Sequence, residues 1–491
     1  MNLAATTDNP TYDERHARRV LLVTCMAAFI AFIDVTIVNT AFPDIARSFP
    51  DASLSSLSWV VNAYTILFAA LLLPAGRIAD LVGRKRVFII GIAVFTVASA
   101  VAAAAPSLEF LVAARLVQGS AAALMVPTSM ALLLPAFPRE RQPVAIGLWG
   151  ATNSVAAAIG PALGGALVSI ADWRLVFLVN VPVGIAAVFA AQRFLREQRG
   201  AAGGKLPDLA GTAALASGSA LVVLAIVEGN SWGWTSATTL ACIAGGIALA
   251  ATAILRSRTH ERPAIEISLW RVPGMSIVNL GSLLSGVTFF SFFLGGTLFV
   301  TSVWHYSVFE AGLSLTPGAI SCMFVAPLAG ALASRIGERW IIVAGSAVMA
   351  GANYWLATNI SATPDFVGLW LPAGLVAGVG IGLLFPALAS AAVRDMPPQK
   401  LGSVIALNMT ARQLGGALGV AGLIALITSS TGSPVDLFSD ALTMGSIAVA
   451  LIVPFFLMPS RRERTAPSSE ATAIRPMLTA EHPIGTAAPA D

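Results

Sequence analysis

Two charged residues stand deep inside apolar stretches of this 491-residue sequence, where a charge is costly. Asp34 lies in FIDVTIVNTAFPDIA, residues 32–46, and Arg115 begins RLVQG, residues 115–119. A carboxylate beside a guanidinium can bind and release a proton, because burial favours the neutral acid and a nearby cation favours the ionised form. Gln118 follows Arg115 on the same helical face. We predict that Asp34 and Arg115 couple protonation to another event. The alternatives are a permanent structural ion pair and, for Arg115, a bond to a neighbouring carbonyl.

The stretches that hold these residues predict membrane-spanning helices. Hydrophobic residues make up 56% of the chain, charged residues 11%, and the mean hydropathy is +0.80. We count fourteen apolar runs of about 20 residues, and a helix of that length crosses a hydrocarbon core of ~30 Å. The predicted fold class is therefore an all-α polytopic membrane protein with fourteen transmembrane helices.

The distribution of Lys and Arg predicts the orientation of these helices, because cytoplasmic loops accumulate both residues. With a cytoplasmic N-terminus, 25 of the 29 Lys and Arg lie inside, Arg47 and Arg174 lie outside, and Arg115 and Arg412 lie within spans. We expect a multi-pass protein of the inner (plasma) membrane with both termini cytoplasmic. In this orientation Asp34 and Arg115 come to a comparable depth, so we expect them to be neighbours.

Several classes of function are disfavoured by the same sequence. The net charge of +4 and the pI near 9.2 follow from membrane topology, so we expect no nucleic-acid partner. Cys25, Cys242 and Cys322 occur singly in separate spans and build neither a metal site nor a disulfide framework. The sequence contains no phosphate-binding loop, and we expect helix 1 not to be a cleavable signal peptide, because it is too long and carries an Asp. We expect neither enzymatic activity nor a cofactor.

An internal repeat indicates the domain organisation. GRIADLVGRKR at 76–86 aligns with GALASRIGERW at 330–340, and each segment joins two predicted spans on the cytoplasmic side. The offset exceeds the length of six spans, which predicts an inserted pair of helices. We expect an N-terminal six-helix bundle at 1–200, an inserted hairpin (helices 7 and 8) at 201–270, a C-terminal six-helix bundle at 271–460 and a disordered cytoplasmic tail at 461–491.

Further polar and aromatic residues are candidates for a substrate cavity. They are Trp59, Asn62, Tyr64, Gln118, Asn408 and Arg412. For Trp59 and Tyr64 the alternative role is anchoring at the membrane interface. For Arg412 the alternative is a bond to backbone carbonyls or to Asn408, because we find no deep carboxylate except Asp34. The run FFSFF at 289–293 either lines the cavity or faces lipid.

The loop GRIADLVGRKR concentrates scarce charge in a few residues. Arg84, Lys85 and Arg86 suffice to retain the loop inside, whereas Asp80 is not explained by topology. We expect Asp80 to pair with Arg84 or to face the positive N-terminus of a helix in the other bundle.

Together these segments resemble one transporter family. The loop resembles motif A of the major facilitator superfamily, G-x-x-x-D-x-x-G-R-[KR]-[KR]. RLVQG is similar to motif B, GPALGG at 160–165 to the antiporter motif C, and FIDVTIVNTAFPDIA to helix 1 of the fourteen-helix drug:proton antiporters of the QacA/EmrB type. The motif A match is carried by Gly76, Asp80, Gly83, Arg84, Lys85 and Arg86, with Arg77 inside the same gating loop.

The resemblance implies export of hydrophobic drugs or toxic compounds in exchange for protons, by alternating access of two rocking bundles. Asp34 would bind proton and substrate, Arg115 would couple them, and Asp80 with Arg84 would form a cytoplasmic latch. A helix-hinge role would belong to Gly160, Pro161, Gly164 and Gly165. The implied partners are the substrate, protons and the lipid bilayer, and a periplasmic adaptor remains open.

Two departures from the family pattern qualify these expectations. Ser334 replaces the motif A Asp in the second-half loop, so we expect no second latch there. Without further membrane carboxylates, a monocationic, zwitterionic or neutral substrate is favoured over a dication. A dedicated metabolite exporter or importer, and a membrane sensor that does not transport, remain the alternatives.

Overall fold

Fourteen helices long and apolar enough to cross a membrane occur in the computed structural model, which describes residues 13–198, 208–261, 263–429 and 432–457. This number agrees with the prediction from the apolar runs. The helices are α1 (Glu14–Ser48), α2 (Leu54–Val82), α3 (Arg84–Ala103), α4 (Leu108–Leu133), α5 (Gln142–Ile170), α6 (Arg174–Phe194), α7 (Leu209–Trp232), α8 (Ala237–Thr259), α9 (Met275–Ser302), α10 (Val308–Ile336), α11 (Glu338–Asn359), α12 (Phe366–Val393), α13 (Leu401–Ser429) and α14 (Pro434–Leu457).

Local residue chemistry sets where many of these helices begin. A serine side chain accepts a backbone N–H at the start of α2, α4, α8, α10 and α14, and satisfies one of the amides that a first helical turn leaves unpaired. The tight connections before α3 and α11 use Gly83 and Gly337, whose φ angles are 129° and 88°. A side chain is strained in this region, so glycine is favoured at both positions.

The helix contacts recur along the chain. In the first six helices α1 packs against α4, α5 and α6, α2 against α4, and α3 against α4 and α6. Eight helices later, α9 packs against α13 and α14, α10 against α12, and α11 against α12 and α14. This recurrence supports the internal repeat that the two aligned loops indicated.

Helices from the two sets meet along α2 and α13 and along α5 and α10. These two pairs correspond to each other under the same eight-helix offset. At the predicted cytoplasmic end of the second pair, Gly330 of α10 lies against the backbone of Pro143 in α5. The backbones approach so closely that a β-carbon at Gly330 would collide with the Pro143 carbonyl.

The inserted helices pack beside the first of these seams. α7 contacts α8, α2 and α13, so it covers the line along which the two sets meet. The predicted tail, 461–491, lies outside the described residues, as does the junction at 199–207.

Candidate functional site

Asp34 and Arg115 meet inside the first six helices. Asp34 on α1 and Arg115 on α4 have exposed side-chain fractions of 0% and 1%, and Arg115 Nη1 lies 2.5 Å from Asp34 Oδ2. Arg115 Nε donates to the backbone carbonyl of Val60 on α2 at 2.8 Å. Three helices therefore converge on one buried ion pair, and the neighbour relation predicted from depth is present.

Two side-chain amides complete the coordination of the Asp34 carboxylate. Asn180 Nδ2 donates to Oδ1 at 3.0 Å, and Gln118 Nε2 lies 3.4 Å from the same oxygen. Gln118 also accepts from Arg115 Nη1 at 3.0 Å and donates to Ser99 Oγ on α3 at 2.8 Å. The carboxylate thus has partners on both oxygens, which stabilise its charge in an otherwise apolar setting.

Asn180 was missed in the sequence. It begins the second segment of α6, immediately after the helix is interrupted at Val179. Its Oδ1 is buried and has no hydrogen-bond partner among the described residues. In the sequence, Asn180 is a single amide within an apolar run. Such a residue does not by itself indicate which helix its side chain faces.

Aromatic rings enclose the Arg115 guanidinium. The Tyr64 ring centroid lies 4.5 Å from Arg115 Cζ and the Phe177 centroid 5.7 Å away. The Tyr64 hydroxyl donates to the Ala31 carbonyl at 3.0 Å, which fixes the ring between α1 and α2. Cation–π contacts of this kind stabilise a desolvated cation by about 2 kcal/mol.

The motif A loop forms a second cluster at the predicted cytoplasmic side. Asp80 accepts from Arg84 Nη2 at 2.7 Å and from the backbone N–H groups of Gly402 at 3.1 Å and Ser403 at 2.8 Å. Arg84 Nη2 also donates to the Pro398 carbonyl just before α13. Both contacts anticipated for Asp80 are therefore made, and the helix N-terminus that it faces is that of α13.

The other basic residues of the loop have different partners. Lys85 Nζ donates to the carbonyls of Gln192 and Leu195 at 2.9 and 2.7 Å, and Arg86 Nε lies 3.9 Å from Glu197. These residues tie the loop to the end of α6. Among the described contacts of the basic residues, Arg84 bonds the segment before α13 and Arg77 the segment before α9.

That segment forms a bridge that the sequence did not reveal. Glu266 Oε2 lies 3.2 Å from Arg77 Nη1 on α2, and Glu266 Oε1 lies 3.1 Å from Lys400 Nζ at the start of α13. Burial opposes ionisation of Glu266, but hydrogen bonds from Ser268 and Lys400 and the charge of Arg77 outweigh it and lower its pKa. We call Arg77, Glu266 and Lys400 the cytoplasmic bridge.

The predicted hinge residues lie where α5 packs closely on its neighbours. Gly160 faces Thr36 of α1, and Gly164 faces Ile37 and Thr40 of the same helix. On the other side, Pro161 touches Gly312 of α10, and Gly165 lies near Phe309. The contacts support a role in close packing of α5 between α1 and α10.

The six candidates for a substrate cavity fall into separate groups of contacts. Tyr64 and Gln118 are enclosed around Arg115, as described above. Trp59 packs against α7, and Asn62 donates to Glu228 Oε1 of the same helix at 3.1 Å. Asn408 of α13 donates to Ser282 Oγ of α9 at 2.7 Å. Arg412 Cζ lies 5.0 Å from the centroid of the Phe385 ring, and among the described residues its guanidinium has no hydrogen-bond or ion-pair partner.

The phenylalanine run joins the Arg412 group. Phe289 packs against Phe385 with centroids 5.5 Å apart, and Phe290 and Phe293 pack against Phe289. The run is half-buried and packs inward on α12. The cluster places one cation, Arg412, beside the phenylalanine side chains of α9 and α12.

One expectation about carboxylates was wrong. Asp34 is not the only acid buried in a span, because Glu228 of α7 is 4% exposed and accepts from Asn62 Nδ2 at 3.1 Å. Its position at the end of an apolar run made it resemble an interfacial residue. The argument against dicationic substrates therefore loses its basis.

In the second-half loop, Ser334 stands at the position of Asp80 and has different described contacts. Ser334 is exposed, and its hydroxyl donates to the Ala331 carbonyl of its own helix at 2.7 Å. The buried acid nearby, Glu338, instead bonds Arg394 at 2.8 Å and Ser390 at 3.1 Å. That only the first-half loop acts as a latch stays a prediction.

Comparison with known proteins relates these features to a family. The model of the Major Facilitator Superfamily matches residues 24–420. The cephamycin export protein CmcT of Amycolatopsis lactamdurans is 32% identical over 92% of this chain and 94% of its own length. The multidrug resistance protein Stp of Mycobacterium tuberculosis is 31% identical over 82% of this chain and 74% of its own.

A solved structure shares the fold. The crystal structure of the human organic anion transporter MFSD10 (TETRAN) superposes with a TM-score of 0.65 and covers 90% of this chain and 99% of that one, at 16% identity. At this identity the similarity concerns the arrangement of helices alone.

Proposed function

This chain belongs to the major facilitator superfamily, and from that premise we propose that it exports hydrophobic, antibiotic-like molecules from the cytoplasm in exchange for protons. It is a multi-pass transporter of the plasma membrane. Both termini are cytoplasmic in this proposal. The named activities of CmcT and Stp support export of antibiotics or of several drugs.

The buried pair of Asp34 and Arg115 is the observation that carries the exchange of protons. A carboxylate at 0% exposure, held by one guanidinium and one close amide, changes its surroundings strongly when it is neutralised. Removing one charge of such a pair costs about 3–5 kcal/mol. Protonation of Asp34 therefore favours rearrangement of α1 against α4 and α6.

Alternating access follows from the two sets of helices. In this proposal residues 1–200 and 271–460 form the two bundles, 201–270 form the inserted hairpin, and the bundles rock along α2–α13 and α5–α10. Asp80 and Arg84 hold the cytoplasmic ends closed through the N-terminus of α13. Gly160 and its neighbours on α5 allow the helices to tilt in close contact.

The proton gradient is sufficient to drive such a cycle. One proton entering across 100 mV releases about 2.3 kcal/mol before any pH term. At ~1.4 kcal/mol per tenfold change, this supports roughly a 50-fold substrate gradient. The chain needs no bound cofactor in this scheme.

Asp34→Asn tests the proposal, because it keeps the size of the side chain and removes the group that can take up a proton. We expect uphill efflux in vesicles with an imposed pH gradient to fall to background, while the protein remains folded and monodisperse. Asp44→Asn, an acid of the same helix that pairs with exposed Arg47, is the matched control and keeps efflux. Undiminished uphill efflux from Asp34→Asn would end the proposal.

A dedicated exporter of one compound is the second candidate, and the name of the cephamycin export protein favours it. Growth of an efflux-deficient strain on a panel of dyes, biocides and antibiotics separates the two. Protection against several unrelated compounds supports broad export, and protection against a single class supports a dedicated exporter.

A further inference from the structure

The inserted helix α7 carries a buried carboxylate that the proposed exchange at Asp34 does not use. Glu228 is the twentieth residue of α7, about 28 Å from the start of the helix, and only 4% of the residue is exposed. Asn62 of α2 donates to its Oε1 at 3.1 Å. Among the described residues, no Lys or Arg forms an ion pair with it.

Among the described residues, no charged group on the surrounding helices forms a hydrogen bond or an ion pair with Glu228. The helices packed against α7 are α8, α2 and α13. On α8, Arg256 pairs with Asp208. On α2, Arg77 pairs with Glu266 and Asp80 with Arg84. On α13, Arg412 lies over the Phe385 ring. Arg258 lies in the last turn of α8, at its cytoplasmic end.

An ionised carboxylate in this position has one hydrogen-bond donor among the described residues, the neutral amide of Asn62. Apolar side chains form the seam between α2 and α7, with Ile66, Ala69 and Val223 at the centre of the cluster. Transfer of an uncompensated charge into such a setting costs several kcal/mol, and one neutral amide offsets only part of it. A proton removes this cost and needs no cavity, whereas an organic cation needs space that a 4% exposed side chain does not have.

We propose that Glu228 is a second proton-binding site, located at the seam between α2 and α7. The inference rests on the proposed exchange of substrate for protons and adds a residue to it. It assigns to the inserted hairpin a share in coupling, in addition to covering the seam.

α2 connects the two carboxylates. Its Val60 carbonyl accepts from Arg115 and its Tyr64 ring covers the same guanidinium, so residues four apart present one face to the Asp34 cluster. Asn62 lies two residues from each of them, on the opposite face, and bonds Glu228. The cytoplasmic end of the same helix carries Asp80. Protonation at Glu228 weakens its bond with Asn62 and so acts on the helix that bears the latch.

Infrared difference spectroscopy on the purified full chain in lipid nanodiscs tests the assignment without any substrate. On stepwise acidification, wild-type protein is expected to gain C=O stretching bands of protonated carboxylic acids. Glu228→Gln should lose one of these bands. Glu109→Gln, which removes an exposed glutamate at the start of α4, should leave that band in place.

Asn62→Leu is the second variant and decides the result if Glu228→Gln does not fold. In this variant the C=O group of protonated Glu228 loses its hydrogen bond from Asn62. The C=O stretching band assigned to Glu228 should therefore move to higher frequency. A spectrum of Glu228→Gln identical to wild type, or no band that responds to either variant, would overturn the assignment.

The outcome is separable from that of the proposed function. If wild-type protein shows no proton-driven efflux but the Glu228 band titrates, proton exchange as the function fails and the binding site stands. If Asp34→Asn abolishes efflux and the Glu228 band is absent, the proposed function stands and this inference fails.

Discussion

At the scale of single residues, the chemistry of this transporter depends on how many bonds one guanidinium makes. Arg115 donates to the Asp34 carboxylate, to Gln118 and to the Val60 carbonyl, which belong to three different helices. The planar fork of arginine serves such divergent acceptors, and the compact ammonium of lysine does not. The identity of the cation therefore matters as well as its charge.

Arg115→Lys should lower proton-driven efflux by at least about tenfold, because the loss of one charge-assisted hydrogen bond amounts to about 1.5–3 kcal/mol. The measurement is the initial rate of uphill efflux in vesicles, with protein amount and thermal stability recorded for each variant. Arg47→Lys is the control, since the Arg47 side chain is 75% exposed. Equal rates for Arg115→Lys and wild type would show that positive charge alone is sufficient at this position.

At the scale of elements, the contacts on the predicted cytoplasmic side converge at the N-terminus of α13. Asp80 bonds its first amides, Arg84 bonds the carbonyl of Pro398 just before it, and Lys400 joins it to the cytoplasmic bridge. A carboxylate at a helix N-terminus is stabilised by both the free N–H groups and the helix dipole. The bridge adds a second acid, Glu266, from the segment that follows the inserted hairpin.

Glu266→Gln should destabilise the closed cytoplasmic side at neutral pH by about 1–2 kcal/mol, because two charge-assisted contacts are lost. The pKa of Glu266 is lowered in the folded protein. Its contribution to the free energy of unfolding is therefore fully present at pH values above the ordinary glutamate pKa, and is lost as the pH falls through the lowered pKa. Thermal unfolding in detergent at a series of pH values measures it.

The unfolding temperatures of wild type and Glu266→Gln should differ most near pH 7 and converge in strong acid. Glu14→Gln is the control, because Glu14 pairs with Arg18 at an exposed site where an ion pair contributes little. A pH-independent difference for Glu266→Gln would contradict the assignment of this effect to titration of Glu266.

At the scale of the whole molecule, the repeat produces two equivalent seams, α2–α13 and α5–α10. Small residues let the backbones touch there, as Gly330 does at Pro143. In the rocking scheme these contacts open when the cytoplasmic side opens. The size of a single side chain at such a position therefore controls which state is accessible.

Gly330→Leu should hold α5 and α10 apart at their cytoplasmic ends, so that uphill efflux is lost while binding of a transported compound is kept. Gly351→Leu is the matched control, because a β-carbon at Gly351 meets no atom within 4 Å. Efflux in vesicles and equilibrium binding to purified protein are the two measurements. Normal efflux from Gly330→Leu would exclude closure at this seam as a step of the cycle.

The sequence by itself determined the features that depend on local composition. Fourteen helices follow from fourteen apolar runs, because each run must match the thickness of the bilayer. The depth of Asp34 and Arg115 follows from counting residues along their helices, and the motifs in order indicated the family.

Only the tertiary structure decided the partners of Glu228, Glu266 and Asn180. Glu228 and Asn62 are 166 residues apart, and Asn180 and Asp34 are 146 apart. Apolar periodicity shows that a helix is buried but does not show which helix it faces, because lipid and protein interiors are equally apolar. The role of each of these buried polar groups therefore depends on contacts that form only when helices distant in the sequence pack together.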